Sequence, residues 1–373
     1  MIKITNIVCI SLLLLMKVAG MASAQQKYPQ INIQEAMTPR LPEYDRDTLT
    51  ICILGDMMMH EAQIANALRA DGSYDFSTYF MHIAEDIRTA DIAIANMEFT
   101  LAGTPYSGYP CFSAPDSFAI YLKECGFDVF LTANNHIYDK GTEGAQRTLE
   151  TYRKLGVSYT GMACDSGSHE ATTPLEIDRK GISIAIINTT YGTNQGIASY
   201  WPRVNYLNSR QIIETALDKA EHCDFTIVFP HWGEEYILTH SQEQERTAAW
   251  LAGKGADMII GAHPHVIQDT GNIDGVPVIY SLGNAVSNMS AANTQLELMV
   301  KVRMAREGMR MKEMLPPEFT YLWCSRPGGY CSSYTVLPVA GFIGTREKWQ
   351  GPWEYDKMMA TYERVRRITG IVE

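Results

Sequence analysis

Short apolar runs recur along the chain, most of them separated by enough sequence for a helix: LTICILG (49–55), DIAIAN (91–96), DVFLTA (128–133), ISIAIINTT (182–190), DFTIVFP (224–230), DMIIGA (257–262) and VPVIYSLG (276–283). Each is rich in Ile, Val or other apolar residues and is bounded by Gly, Asn, Asp or Pro, which is the signature of a strand. Near-continuous apolarity, rather than alternation, predicts strands covered on both faces. Between them, EGAQRTLETYRKLG sets Ala145, Leu149, Tyr152 and Leu155 on one helical stripe and stops at Gly156. SQEQERTAAWLAGKG (241–255) has the same form. Strands alternating with helices predict a layered α/β fold. Residues 25–47 are polar and contain proline, and read as a leader to a domain over 48–302. Residues 303–373 come after it as a C-terminal extension, whose Trp323, Trp349 and Trp353 suit a lid, an interface or plain packing, with packing the default.

The first 24 residues break this pattern. Lys3, the apolar run Ile7–Met16 and Ala22-Ser23-Ala24 form a secretory signal with an A-x-A cleavage site. The run is short for a permanent membrane span. The expectation is export to the periplasm, cell surface or medium, with no transmembrane helix after cleavage. Losing Lys3 and Lys17 takes the formal charge from −11 to −13. So acidic a chain is a poor partner for nucleic acid. It meets an anionic polymer only through cations or local basic groups. Cleavage also leaves seven of the eight cysteines, an odd number for an exported protein. Cys324 and Cys331 flank the turn-rich SRPGGY and are candidates for a small disulfide loop, whereas Cys52 reads as core. Without a CxxC pair, a thiolate zinc site has little support.

Polar residues of one kind collect where the runs end. Asp56 follows the first; Asn96, Met97 and Glu98 close the second; Asn134, Asn135 and His136 follow the third, with Asp139 just beyond. His231, Trp232, Gly233, Glu234 and Glu235 follow the fifth, His263-Pro264-His265 the sixth, and Asn284 the seventh. Ligands in α/β sheets bind outside the carboxyl ends of the strands. Imidazole, carboxylate and amide oxygen suit Mn, Fe or Zn. Pro264 biases His263 toward extended backbone, from which residues i and i+2 project the same way. Taken singly, each position has an ordinary explanation: a helix cap at Asp56, a surface carboxylate at Glu98, a turn at Asn135, a satisfied core histidine at His231. Those explanations have to hold independently at six strand ends, so the set is the signal. His60, His82, His169, His222 and His240 read as ordinary, although His60 lies close to Asp56.

The segments GDMMMH, NME, ANNHIYDKG, HWGEEY, GAHPHVIQ and YSLGN, in this order from about Thr50 to Asn284, resemble the CapA-type poly-γ-glutamate capsule biosynthesis family, a branch of the calcineurin-like metallophosphatase superfamily. The resemblance implies a four-layer α/β/β/α sandwich with a two-metal site at the strand ends. Asp56 and His265 would hold one divalent ion, with Glu98 bridging; Asn135, His231 and His263 would complete the other. His136 would face the substrate as general acid, and Asp139, three residues on, is spaced to orient its ring. Asn134, Glu235 and Asn284 would support the ligands. Met58 stands where many metallophosphatases carry the histidine of D-x-H, and Glu98 replaces the usual Asp, so one metal position has fewer ligands and the expectation is one or two ions. The activity expected is hydrolysis of a phosphoester or a γ-glutamyl amide in capsule or exopolymer metabolism. The alternative is a non-catalytic subunit that grips an anionic polymer for assembly or export, beside other capsule synthesis proteins.

Overall fold

The computed structural model describes residues 47–196, 200–307 and 311–373. The expected signal sequence and nearly all of the leader lie outside them.

All seven apolar runs form strands: Asp47–Met57, Ile92–Met97, Val129–Leu131, Ile182–Thr190, Phe225–His231, Met258–Ile260 and Val276–Ile279. They divide between two sheets. The first runs, edge to edge, Thr335–Pro338, Glu318–Ser325, Leu296–Glu307, Asp47–Met57, Ile92–Met97, Val129–Leu131 and Ser158–Thr160, with Met311–Met314 paired to Leu296–Glu307. The second runs Thr270–Ile273, Val276–Ile279, Met258–Ile260, Phe225–His231, Ile182–Thr190 and Leu175–Arg179. The strands that end at the polar clusters are parallel to one another within each sheet, which brings their carboxyl ends to one edge.

Side-chain alternation explains the layering. Ile51, Ile53, Ile94 and Val129 of the first sheet share one buried cluster with Ile184, Ile186, Ile227 and Ile260 of the second. Burying each such side chain contributes about 1.5–3 kcal/mol. On the far face of the first sheet, Cys52, Ala93, Ala95 and Phe130 pack with Phe118 and Leu122 of helix Asp116–Cys125 and with Leu149 and Tyr152 of helix Gly141–Leu155. On the far face of the second, Ile187, Val228 and Ile259 pack with Ile213 and Leu217 of helix Arg210–Ala220 and Leu251 of helix Gln242–Gly253. The result is the expected α/β/β/α sandwich.

The strand Leu296–Glu307 runs through position 302, where the sequence suggests a domain edge. The later elements are built into the same unit: Glu318–Ser325 extends the first sheet, and Met358, Tyr362 and Val365 of helix Pro352–Thr369 join the inter-sheet core. Cys324 and Cys331 do not pair; both are free thiols, Cys324 buried within the first sheet and Cys331 in the turn beyond it. No helix among the described residues is long and apolar enough to cross a membrane.

Candidate metal centre

The first strand delivers Asp56 through an irregularity. The pairing with Ile92–Met97 shifts register between Leu54 and Asp56, and such a bulge re-aims the side chain that follows it. Gly55 is needed there because a Cβ would meet the Gly283 carbonyl oxygen at 2.0 Å. Its amide donates to Glu297 Oε1 at 2.6 Å, and the Asp56 amide to Gly283 O at 3.0 Å. Asp56, now fully buried, accepts from Asn96 Nδ2 at 2.7 Å.

Around Asp56 the predicted residues converge. Ligand atoms of Asp56, Glu98 and His265 lie within 4.8 Å of one another, as do those of Glu98, His231 and His263. Glu98 is common to both groups. Asn135 Oδ1 lies 2.8 Å from His231 Nε2, which attaches it to the second group. Glu235, expected as a supporting residue, belongs to a third group with His263 and His265, at the exposed mouth. Asn134 does support: its Nδ2 donates to Met97 O at 2.8 Å, and its Oδ1 accepts from the His136 amide at 3.1 Å. Asn284 Oδ1 lies 2.9 Å from His265 Nδ1.

The electrostatics of this cluster ask for a cation. Glu98 is fully buried, and neither of its oxygens has a hydrogen bond; His263 Nδ1 is likewise buried and unpartnered. Burial, aided by Asp56 and Glu235, pushes the Glu98 carboxyl well above its ordinary range. Burial and the other imidazoles hold His231 well below its usual value and His263 down to about 3. For His265 burial opposes the proton, but the hydrogen bond and charge of Asp56 outweigh it and the pKa rises. Buried carboxylate and imidazole lone pairs without donors fit a divalent ion.

His136 sits beside the cluster. Its Nδ1 is 2.7 Å from Asp139 Oδ2, which also accepts from the Phe112 amide at 2.8 Å. A carboxylate only accepts, so Nδ1 carries the proton and Nε2 is left for the cleft. That cleft, of about 390 Å³, is lined among others by Met58, His60, Tyr109, His136, Glu235 and His265.

One local expectation is overturned. Pro264 does not hold His263 extended: φ is +99° at His263 and +57° at His265, both left-handed. The strand has already ended at Ile260, and the chain turns at once so that Tyr236 N can reach Pro264 O at 2.8 Å. The two rings still converge, their centroids 5.9 Å apart. Three participants had no role assigned from the sequence. Asn96 lies between Asp56 and His231 Nδ1, the latter at 3.4 Å. Tyr191 sets its ring 4.6 Å from that of His263, and the Asn194 backbone amide donates to Asn135 O at 2.8 Å. Asn96 ends an apolar run and was visible as such; Tyr191 and Asn194 follow Ile182–Thr190, a strand whose end carries no ionisable ligand type to flag it. His60, read as ordinary, lines the cleft with His136.

The sequence matches that of known proteins. Residues 50–289 match the family model described as bacterial capsule synthesis protein PGA_cap. The capsule biosynthesis protein CapA of Bacillus anthracis is 26% identical over 295 residues, covering 76% of this chain and 70% of that protein. The PGA biosynthesis protein CapA of Bacillus subtilis is 25% identical over 296 residues, covering 76% and 74%. Among solved structures, a 5'-nucleotidase precursor from Thermus thermophilus aligns with a TM-score of 0.47 at 13% identity, over 86% of this chain and 59% of that one.

Proposed function

The chain belongs to the PGA_cap family of bacterial capsule synthesis proteins, and from that premise we propose that it is an exported, metal-dependent hydrolase of capsule or exopolymer metabolism, of the poly-γ-glutamate type. The bond it cleaves is a phosphoester or a γ-glutamyl amide. The observation that carries this reading is Glu98, buried without a hydrogen bond between two groups of ligand-type side chains. Asp56, Glu98 and His265 would hold one divalent ion, and Asn135, His231 and His263 with Glu98 a second. Mn, Fe and Zn all suit such a set, which has no thiolate. When bound, the metal supplies Lewis acidity at the scissile bond and lowers the pKa of attacking water to about 7.

The remaining work falls to the chain's own side chains. As the imidazolium, with Nδ1–H on Asp139 at 2.7 Å, His136 gives its Nε2 proton to the leaving oxygen or nitrogen and is left as the neutral ring that Asp139 still fixes from behind. The edge of Phe112, its ring centroid 4.7 Å from that of His136, shields this pair from water. Elemental analysis of purified protein, followed by assays on an aryl phosphodiester and on γ-linked glutamate oligomers, tests the reading. Turnover of either, lost in His136→Ala, supports it. Tight binding of the oligomers without turnover instead indicates a non-catalytic subunit for polymer assembly or export.

A further inference from the structure

His60 occupies the same cleft as His136 and His265, yet belongs to no group of metal-ligand atoms among the described residues. Its surroundings are built with unusual completeness. Gln63 is fully buried, and its two polar atoms are spent on the backbone around His60: Oε1 accepts from the His60 amide at 2.9 Å, and Nε2 donates to Met58 O at 3.0 Å. The ring itself packs edge-on against Phe112, with centroids 5.2 Å apart.

The ring nitrogens can be assigned by accounting for hydrogen bonds. The Asn288 amide points at Nδ1 at 3.2 Å, and an amide N–H only donates. Gln63 Oε1 is also 3.1 Å from Nδ1, but that oxygen is already satisfied by the His60 amide. Placing the proton on Nδ1 would strand a backbone N–H, whereas placing it on Nε2 strands nothing. Burial pushes the His60 imidazole down to about 4, so the ring is neutral at ordinary pH. A neutral ring with Nδ1 occupied presents Nε2–H to the cleft. The cleft also carries the hydroxyls of Tyr109 and Ser290, and its one carboxylate, Glu235, lies within the ligand groups and takes up the Tyr236 hydroxyl. The Nε2–H of His60 and these hydroxyls can all donate, which suits a ligand rich in oxygen.

We propose that His60 is a substrate-positioning residue whose Nε2–H donates to an acceptor oxygen of an oxyanion-bearing substrate held beside the metal centre. This rests on the hydrolytic metal-centre reading above. Two replacements separate the ring's two ends: Asn keeps an oxygen near the Nδ1 position for the Asn288 amide, and Gln reaches an amide N–H to the Nε2 position.

The test is calorimetric titration of inorganic phosphate into the full chain loaded with zinc, with zinc content measured for each variant. His60→Asn should retain zinc and bind phosphate about 10–100-fold more weakly, the usual size of a hydrogen bond to a charged acceptor. His60→Gln should stay within about threefold of wild type. Wild-type affinity in His60→Asn overturns the proposal, as does a loss in His60→Gln equal to or larger than that in His60→Asn, which would mark a role in holding the Asn288 loop. Loss of zinc in His60→Asn would make His60 a ligand and also overturn it. If zinc-loaded wild type binds no phosphate, the metal-centre reading fails and takes the proposal with it.

Discussion

The side-chain oxygen of Asn284 lies 2.9 Å from Nδ1 of His265, and the orientation of that amide is not free. Its Nδ2 donates to Ser287 Oγ at 3.1 Å and to Thr294 O at 3.2 Å, so Oδ1 faces the imidazole. His265 therefore donates from Nδ1 and turns Nε2 toward Glu98, 3.8 Å away. Partners of this kind fix the tautomer of a metal-ligating histidine. Asn284→Ala should weaken metal affinity by about 10–100-fold, read by competition with a chromophoric chelator; unchanged affinity would remove His265 from the ligand set.

His231 and His263 come from two different segments of the second sheet. Replacing both with Ala should strip most bound transition metal, measured by elemental analysis, while far-ultraviolet circular dichroism stays that of the folded protein. Unchanged stoichiometry would defeat the assignment.

His136 and Asp139 separate chemistry from binding. His136→Asn should keep its metal and lose about 10²–10⁴-fold in turnover. Asp139→Asn, which removes only the group behind the ring, should lose less. Metal loss in step with activity would make His136 a ligand.

Glu98 gives a prediction about pH. Its folded pKa lies well above the ordinary 4.5, so without metal the folded state holds this proton more tightly than the unfolded chain does. Its contribution to stability is thus present below the unfolded value and is lost as pH rises through the folded one. In chelator-treated protein at pH 8, Glu98→Gln should therefore melt higher than wild type, on the order of 2–4 °C. The advantage should vanish near pH 4. A lower melting temperature for the variant at pH 8 would show that the carboxylate is already compensated.

Export is tested at the other end of the chain. Protein recovered from the cell envelope should begin at or near Gln25, and a chain retaining Met1 in the cytoplasm would refute it.

The parallel strands were legible because both of their faces are covered, which leaves continuous apolar runs such as Ile182–Thr190. Leu296–Glu307 was not found that way, although it sits at the middle of the first sheet. It alternates: Leu296, Leu298, Val300, Val302 and Met304 enter the inter-sheet core, while Lys301 points the other way to Asp86 at 2.7 Å. Period two was its signal. Within the site, ionisable ligand types were readable by kind and by place at the strand ends. The left-handed turns at His263 and His265 were not, because they answer to the distant contact between Tyr236 and Pro264. His60 escaped for a related reason, since its orientation depends on Asn288, 228 positions away.

The proposed ligands come from both halves of the sandwich, Asp56 and Glu98 from one sheet and His231 and His263 from the other. An ion among them would act as a clasp across the seam, at the edge where the loops leave the inter-sheet core. Left-handed backbone at His263 and His265 costs about 1–3 kcal/mol at each residue, and the clasp would hold it in place. Chelation should then loosen one end of the seam and leave the rest shut. In deuterium exchange, amides of 262–266 and those at Met57 and Glu98 would open together, ahead of the buried middle of either sheet.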